Sequence, residues 1–330
     1  MLKRIAVAFL LAAVVTLGAV FAYLTLRKPA MRPPSTRVVP RTPERVERGR
    51  YLFMNVANCA ECHSEVDWTR FDAPVKKDGI GAGKIWPAEA GLPGSLVSPN
   101  ITPDAGTGVG GWTDGELIRA IREGISRDGR VLFPLMPYTE FRSMSDEDVE
   151  SVVAFIRTLA PVQRKMELSR IDFPVGLLVK SAPQPVDGVV ETPSRADRVA
   201  YGRYLTVIAG CRTCHTPTKR GSPVEGMQYA GGERFGAEKS GLLVVSFNLT
   251  PDKGTGIGTW DEKQFMEKFR QYREYARGTP PPATPENFTV MPWLPFDGIE
   301  DDDLKAIFAF LQTLKPVENA VETRPLAGKK

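Results

Sequence analysis

Charge disappears from the chain between Ile5 and Leu26, leaving an uninterrupted run of 22 uncharged, mostly apolar residues. At about 1.5 Å per residue, a helix of that length crosses a bilayer core of about 30 Å. Beyond it the apolar positions fall into short sets at helical spacing. Val149, Val152, Val153, Ile156 and Leu159 follow Ser145-Asp146-Glu147-Asp148, which reads as an N-cap with an acidic first turn. Leu304, Ile307, Phe308, Leu311 and Leu314 follow Asp301-Asp302-Asp303 in the same way. Pro161 and Pro316 end these two helices. Shorter sets start at Trp112-Thr113-Asp114 (Leu117, Ile118, Ile121) and at Trp260-Asp261-Glu262 (Phe265, Phe269), and Pro43-Glu44-Arg45-Val46 opens another helix. No stretch alternates over the length of a long strand, so the expected fold class is mostly α with substantial loops.

These sets occur twice because the chain is duplicated. Gly49-Arg50-Tyr51-Leu52 matches Gly202-Arg203-Tyr204-Leu205, and Asn100-Ile101-Thr102-Pro103-Asp104 matches Asn248-Leu249-Thr250-Pro251-Asp252. Gly106-Thr107-Gly108 with Trp112 matches Gly254-Thr255-Gly256 with Trp260, and Met136-Pro137 matches Met291-Pro292. Ala154-Phe155-Ile156-Arg157-Thr158-Leu159 matches Ala309-Phe310-Leu311-Gln312-Thr313-Leu314. The spacing between copies drifts from 152 to 148 to 155 residues, as loop insertions in a duplicated unit produce. The expected organisation is a transmembrane anchor or signal segment (1–28), a Pro-rich linker (29–43), a first domain (44–162), an ordered crossover (163–195), a second domain (196–318) and a tail (319–330). Phe173, Leu177 and Leu178 are expected to pack the crossover onto a domain surface. Tyr51, Leu52 and Phe155, with Tyr204, Leu205 and Phe310, place the first and last helices of each unit in contact, Gly49 and Gly202 allowing a close crossing.

Composition changes little, but charge does. Hydrophobic content of 42% and charged content of 25% are ordinary. The 30 Gly and 28 Pro point to ordered loops wrapped around something. Residues 1–50 hold ten basic and two acidic side chains, so the rest of the chain is net negative although the whole is +4. The basicity belongs to the N-terminal arm and makes no case for nucleic-acid binding. Lys3 and Arg4 favour a cytoplasmic N-terminus. The run exceeds the roughly 7–15 residues of a signal-peptide core, which favours a retained anchor, although Val20-Phe21-Ala22 has the form of a cleavage site. Both readings export the rest of the chain.

Cys59-Ala60-Glu61-Cys62-His63 and Cys211-Arg212-Thr213-Cys214-His215 use every cysteine and histidine in the chain. Two cysteines about one helical turn apart, with a histidine next, form the attachment signature of a c-type haem: two thiols for the porphyrin edge and an imidazole for the iron. Two covalently bound haem c groups are therefore expected. With both histidines spent, the second axial ligand falls to methionine, and Met136 and Met291 stand at equivalent places. Met144 and Met227 are the rivals, and gap-filling in the core is the structural alternative. A Cys₄ zinc site or two disulfides are the other readings of the CxxC pairs. Trp112 and Trp260 are candidates for a haem propionate or for simple packing, and the Asn-X-Thr-Pro-Asp turns for shaping the loop at the haem edge. Gly106-Thr107-Gly108-Val109-Gly110 follows no strand, and Gly79-Ile80-Gly81-Ala82-Gly83-Lys84 lacks the P-loop pattern, so nucleotide binding is excluded.

Taken together, the Gly-Arg-Tyr-Leu segments, the CxxCH motifs, the Asn-X-Thr-Pro-Asp turns, Met136-Pro137-Tyr138 and the Ser145 helix resemble the c-type cytochrome subunits of bacterial membrane-bound dehydrogenases, such as alcohol and gluconate dehydrogenases. The resemblance implies two tandem class I cytochrome c-like domains after the N-terminal transmembrane helix. Its axial pairs are His63/Met136 and His215/Met291. It implies a membrane-tethered protein on the periplasmic side of the bacterial inner membrane. Single electrons would pass from a dehydrogenase or quinol-oxidising complex to a terminal oxidase or soluble cytochrome. Such subunits commonly carry three haems where this chain has motifs for two. The second unit also inserts Pro280-Pro281-Pro282 and Pro285, and has Trp293 where the first has Tyr138. A dihaem enzyme, a peroxidase or a thiosulfate-oxidising cytochrome, is the alternative from another class.

Overall fold

Each half of the chain is framed by a helix at its start and a helix at its end. The computed structural model describes residues 1–219, 221–237 and 241–326, so the last four residues of the tail 319–330 lie outside the described residues. The apolar run forms α1 (Leu2–Leu26), whose side chains are exposed along almost its whole length. Its span Lys3–Leu26 is long and apolar enough to cross a membrane, with a mean hydropathy of 2.7. In the first unit follow α2 (Pro43–Tyr51), continued by a π-helical turn at Leu52–Val56, α3 (Cys59–His63), α4 (Asp114–Glu123), α5 (Tyr138–Phe141) and α6 (Asp146–Ile156). The crossover holds α7 (Val175–Leu178). In the second unit come α8 (Arg198–Ile208), α9 (Cys211–Cys214), α10 (Glu262–Arg270), α11 (Arg273–Arg277), α12 (Trp293–Phe296) and α13 (Asp301–Leu311).

The helix starts are where the polar pattern puts them. Ser145 Oγ accepts from the Asp148 amide at the start of α6. Thr113 with Glu116, and Asp261 with Gln264, form reciprocal capping boxes at α4 and α10. The described strands are two to four residues long and pair as antiparallel ladders. The longest is the pair 234–237 and 242–245.

One crossing holds each unit together, α2 on α6 in the first and α8 on α13 in the second. At Gly49 the backbones come so close that a Cβ would sit 1.8 Å from the Ser151 carbonyl oxygen. At Gly202 a Cβ would sit 1.8 Å from that of Ala306. Leu52, Phe53 and Val56 then meet Val149, Val152 and Val153, while Leu205 and Ile208 meet Leu304, Ile307 and Leu311, in one core that runs through both units. Phe53 and Phe155 make a tilted aromatic pair at 5.2 Å across the first crossing.

The two tyrosines go elsewhere, a difference from the sequence reading. Tyr51 lies on the far side of α2 and its hydroxyl reaches the other unit. It donates to Asp303 Oδ2 at 2.8 Å and accepts from the Glu300 amide at 3.2 Å. Tyr204 does the same in reverse, donating to Asp148 Oδ2 at 2.6 Å and accepting from the Ser145 amide at 3.2 Å. Each tyrosine thus binds the first turn of the other unit's last helix, a reciprocal lock with pseudo-two-fold symmetry. Arg48 grips Asp148 in a bidentate pair (2.8 and 2.9 Å), and Arg195 stands 3.3 Å from Asp303.

Burial, reinforced by the facing aspartates, holds both tyrosine hydroxyls far above the ordinary phenol range. Below about pH 10 both the folded and unfolded forms keep these protons, so the tyrosines add no pH dependence there. Above it only the unfolded chain releases them, and stability falls by up to about 1.4 kcal/mol per pH unit for each tyrosine. The urea midpoint should therefore drop between about pH 9 and 11 more steeply in the native protein than in Tyr51→Phe/Tyr204→Phe; parallel slopes would contradict the lock.

The crossover pairs with the first unit but lies differently from expectation. Arg170–Ile171 pairs with Gly94–Ser95, Ser169 Oγ accepts from the Val97 amide, and Val190 O accepts from the Asp146 amide. Phe173 and Leu178 are exposed instead of packed on a domain, because these ladders turn the segment's apolar side outward. Leu177 is half-buried. The ring of Phe173 stands 6.3 Å from Phe21 in α1.

Candidate haem sites

A left-handed residue precedes each CxxC turn, Asn58 at φ 48° and Gly210 at φ 69°. It lets the chain leave the first helix and re-enter a helical turn within two residues, setting both thiols of the turn toward one cavity. The histidines that follow are buried. His63 Nδ1 lies 3.0 Å from the Pro99 carbonyl oxygen, and His215 Nδ1 lies 2.7 Å from that of Phe247. A carbonyl can only accept, so Nδ1 carries the hydrogen and Nε2 keeps its lone pair free. Burial lowers the pKa of both imidazoles, which leaves them neutral at pH 7, the form that ligates iron.

The accepting carbonyls are held by the repeated Asn turns. Asn100 Oδ1 accepts from the Thr102 amide (3.0 Å) and hydroxyl (2.7 Å), while its Nδ2 donates to Val162 O at 2.8 Å. Asn248 repeats this with the Thr250 amide (2.9 Å) and hydroxyl (2.8 Å) and with Val317 O (2.8 Å). Both asparagines are almost fully buried. Side-chain amides thereby fix the carbonyl that fixes each imidazole, the expected loop-shaping role with a specific target.

A continuous cavity of ≈ 1970 Å³ is lined by Cys59, Cys62, His63 and Met136 and also by Cys211, Cys214, His215 and Met291. That is roughly twice the upper end of the usual range for one small-molecule pocket, about 1,000 Å³. Both methionines are half-buried, each followed by a proline and a one-turn helix, α5 or α12. Met144 also lines the cavity but is 1% exposed in the core, and Met227 does not line it. Trp112 and Trp260 line it too, Trp260 stacked on Phe247 at 6.0 Å. The four cysteines are unpaired, and among the described residues no cluster of three or more His, Cys, Asp and Glu could hold a metal ion. The zinc and disulfide readings have no support in this geometry.

Residues that the sequence did not single out complete the sites. Pro99 and Phe247 act through their backbone, and only their place just before each repeated Asn-X-Thr-Pro-Asp turn marks them. Arg127 and Lys268 line the cavity as cations suited to propionates. Asp72 of the first unit reaches the methionine loop of the second: its Oδ2 accepts from the Leu294 amide at 2.7 Å, three residues after Met291. The carboxyl is buried and burial raises its pKa well above the usual range. Asp72→Ala should lower stability by about 1–3 kcal/mol through the orphaned amide. Asp72→Asn, which keeps an acceptor, should cost well under half as much. Equal losses in urea titrations would mean that charge, not the hydrogen bond, matters.

A neutral imidazole with a free Nε2, a thioether and a pair of thiols, each set present twice along one apolar cavity, suit haem c. Comparison with known proteins agrees. The model of the cytochrome c family matches residues 46–160 and again 199–315. The chain is 28% identical over 289 residues to the cytochrome c subunit of the quinone-dependent alcohol dehydrogenase of Gluconobacter oxydans, covering 82% of this chain and 55% of that subunit. It is 28% identical over 284 residues to the gluconate 2-dehydrogenase cytochrome c subunit of Pantoea cypripedii (82% and 59%). It is 32% identical over 180 residues to a diheme cytochrome c of Cereibacter sphaeroides (52% and 56%). It spans a little over half the length of these relatives. Its cofactors are two covalently bound haem c groups, and the chain belongs to the cytochrome c family, as two cytochrome c domains in tandem.

Proposed function

We propose that this chain is a membrane-tethered dihaem cytochrome c that relays single electrons on the periplasmic side of the bacterial inner membrane. The donor is a dehydrogenase or quinol-oxidising complex, and the acceptor is a terminal oxidase or a soluble cytochrome. One observation carries this reading: the same thiol, imidazole and thioether constellation stands twice around one continuous cavity. When bound, haem c supplies a one-electron ferric/ferrous couple. Cys59 and Cys62, and Cys211 and Cys214, would hold the porphyrins by thioether bonds. His63 and His215, oriented by the Pro99 and Phe247 carbonyls, would offer Nε2 to the iron. Met136 and Met291, which line the same cavity, would offer the iron a soft neutral donor that favours the ferrous state. Tyr51 and Tyr204 hold the two domains at a fixed separation. The names of the relatives support electron transfer within a dehydrogenase assembly. The test is to isolate the full chain from detergent-solubilised membranes, identify the dehydrogenase that accompanies it, and supply that enzyme's substrate. Both haems should become reduced at the rate of dehydrogenase turnover. If neither is reduced, while hydrogen peroxide is consumed far faster than by free haem, the protein is an enzyme and the relay reading fails.

A further inference from the structure

We propose that the crossover segment 168–180 is a second membrane contact, immersed beside α1 in the apolar layer of the bilayer. The inference deepens the tethered-cytochrome reading and rests on it. α1 ends at Leu26, and Arg27 and Lys28 mark the polar boundary, with the Arg27 guanidinium 6.0 Å above the Tyr23 ring. Phe21 lies five residues before that end, about 7–8 Å along the axis at the helical rise. The Phe173 ring is 6.3 Å from it, so Phe173 reaches the same depth. Leu168, Phe173 and Leu178 are 60%, 74% and 52% exposed, and α7 makes its contacts with α1 at this place. A lone exposed apolar residue needs no explanation. Three of them beside a membrane-spanning helix form a surface continuous with that helix. Lys180 Nζ donates to the Thr25 carbonyl at 2.8 Å, at the helix end where carbonyls lack intrahelical partners. With Arg27, Lys28 and Arg170 it gives the patch a basic rim, suited to anionic lipid headgroups. Thr25–Pro29, Val179 and Lys180 also line the cavity that holds Met136. The contact therefore sets the mouth of the first haem site at the bilayer surface.

The test uses the full chain in vesicles of phosphatidylethanolamine and phosphatidylglycerol, with p-benzoylphenylalanine in place of one residue at a time. Positions are Phe173, Val15 within α1 and Val189, an exposed apolar residue outside the segment. After illumination, mass spectrometry of the peptides should find lipid acyl adducts at Val15→p-benzoylphenylalanine and Phe173→p-benzoylphenylalanine, at least about tenfold above position 189. Adducts at position 15 without adducts at 173 overturn the inference and leave the tether standing. Absence at position 15 overturns the tether itself. A protein adduct at 173 in native membranes, in place of lipid, assigns this face to a partner subunit and overturns the inference as well.

Discussion

Met136→Ala and Met291→Ala are each expected to lower the reduction potential of one haem and leave the other near its native value. A thioether is a soft, neutral donor that stabilises ferrous iron more than ferric, so its loss favours the ferric state. Axial ligands command a span of roughly 0.8 V, and the shift should be a sizeable part of it. Removing the thioether also opens a coordination position, so each variant should bind carbon monoxide at one haem when reduced. The two variants should behave alike because both loops line the same cavity at equivalent positions. Redox titration with carbon monoxide binding checks this. If Met136→Ala left both potentials and ligand binding unchanged, the ligand of the first haem would be Met144 or Met166, which also line the cavity. Met227 has no such place, so an unchanged Met291→Ala would leave the second haem five-coordinate.

Gly202→Ala should be among the most damaging small substitutions in the chain. Its added methyl would sit 1.8 Å from the Ala306 carbonyl oxygen, and that oxygen belongs to the ladder of α13. A rigid helix backbone cannot yield as a side chain can, so α8 and α13 must separate along the crossing. Overpacking of this kind costs about 1–3 kcal/mol or more, against a total stability of about 5–15 kcal/mol. The strain also reaches the chemistry, because α8 leads within three residues into the Cys211 turn. Urea unfolding should show a loss on the order of 3 kcal/mol and a lower yield of protein carrying two haems. Gly49→Ala should do the same through the Ser151 carbonyl. A change within about 0.5 kcal/mol, as for an ordinary surface substitution, would contradict the account.

Much of this was legible in the sequence, for reasons that differ by residue. Cys59, Cys62 and His63 lie within five positions, so local geometry alone dictates their chemistry. Met136 is remote from them, but duplication singled it out as the proposed ligand, since Met291 recurs beside the same proline. Gly49 and Gly202 were readable because a close crossing leaves only one residue type. The Tyr51–Asp303 and Tyr204–Asp148 bonds were hidden. They depend on how two units dock, which the periodicity within either unit does not encode. Phe173 and Leu178 misled because an apolar side chain reports burial without naming the medium, and here α1 lies beside them. The Pro99 and Phe247 carbonyls left no side-chain signal at all, because the backbone of any residue could do the work.

The central claim is that both irons carry a histidine and a methionine. The direct measurement is the near-infrared methionine-to-iron charge-transfer band of the oxidised full-length protein, quantified per haem. The account predicts an intensity of two equivalents per chain, one from each domain. One equivalent or none would contradict it.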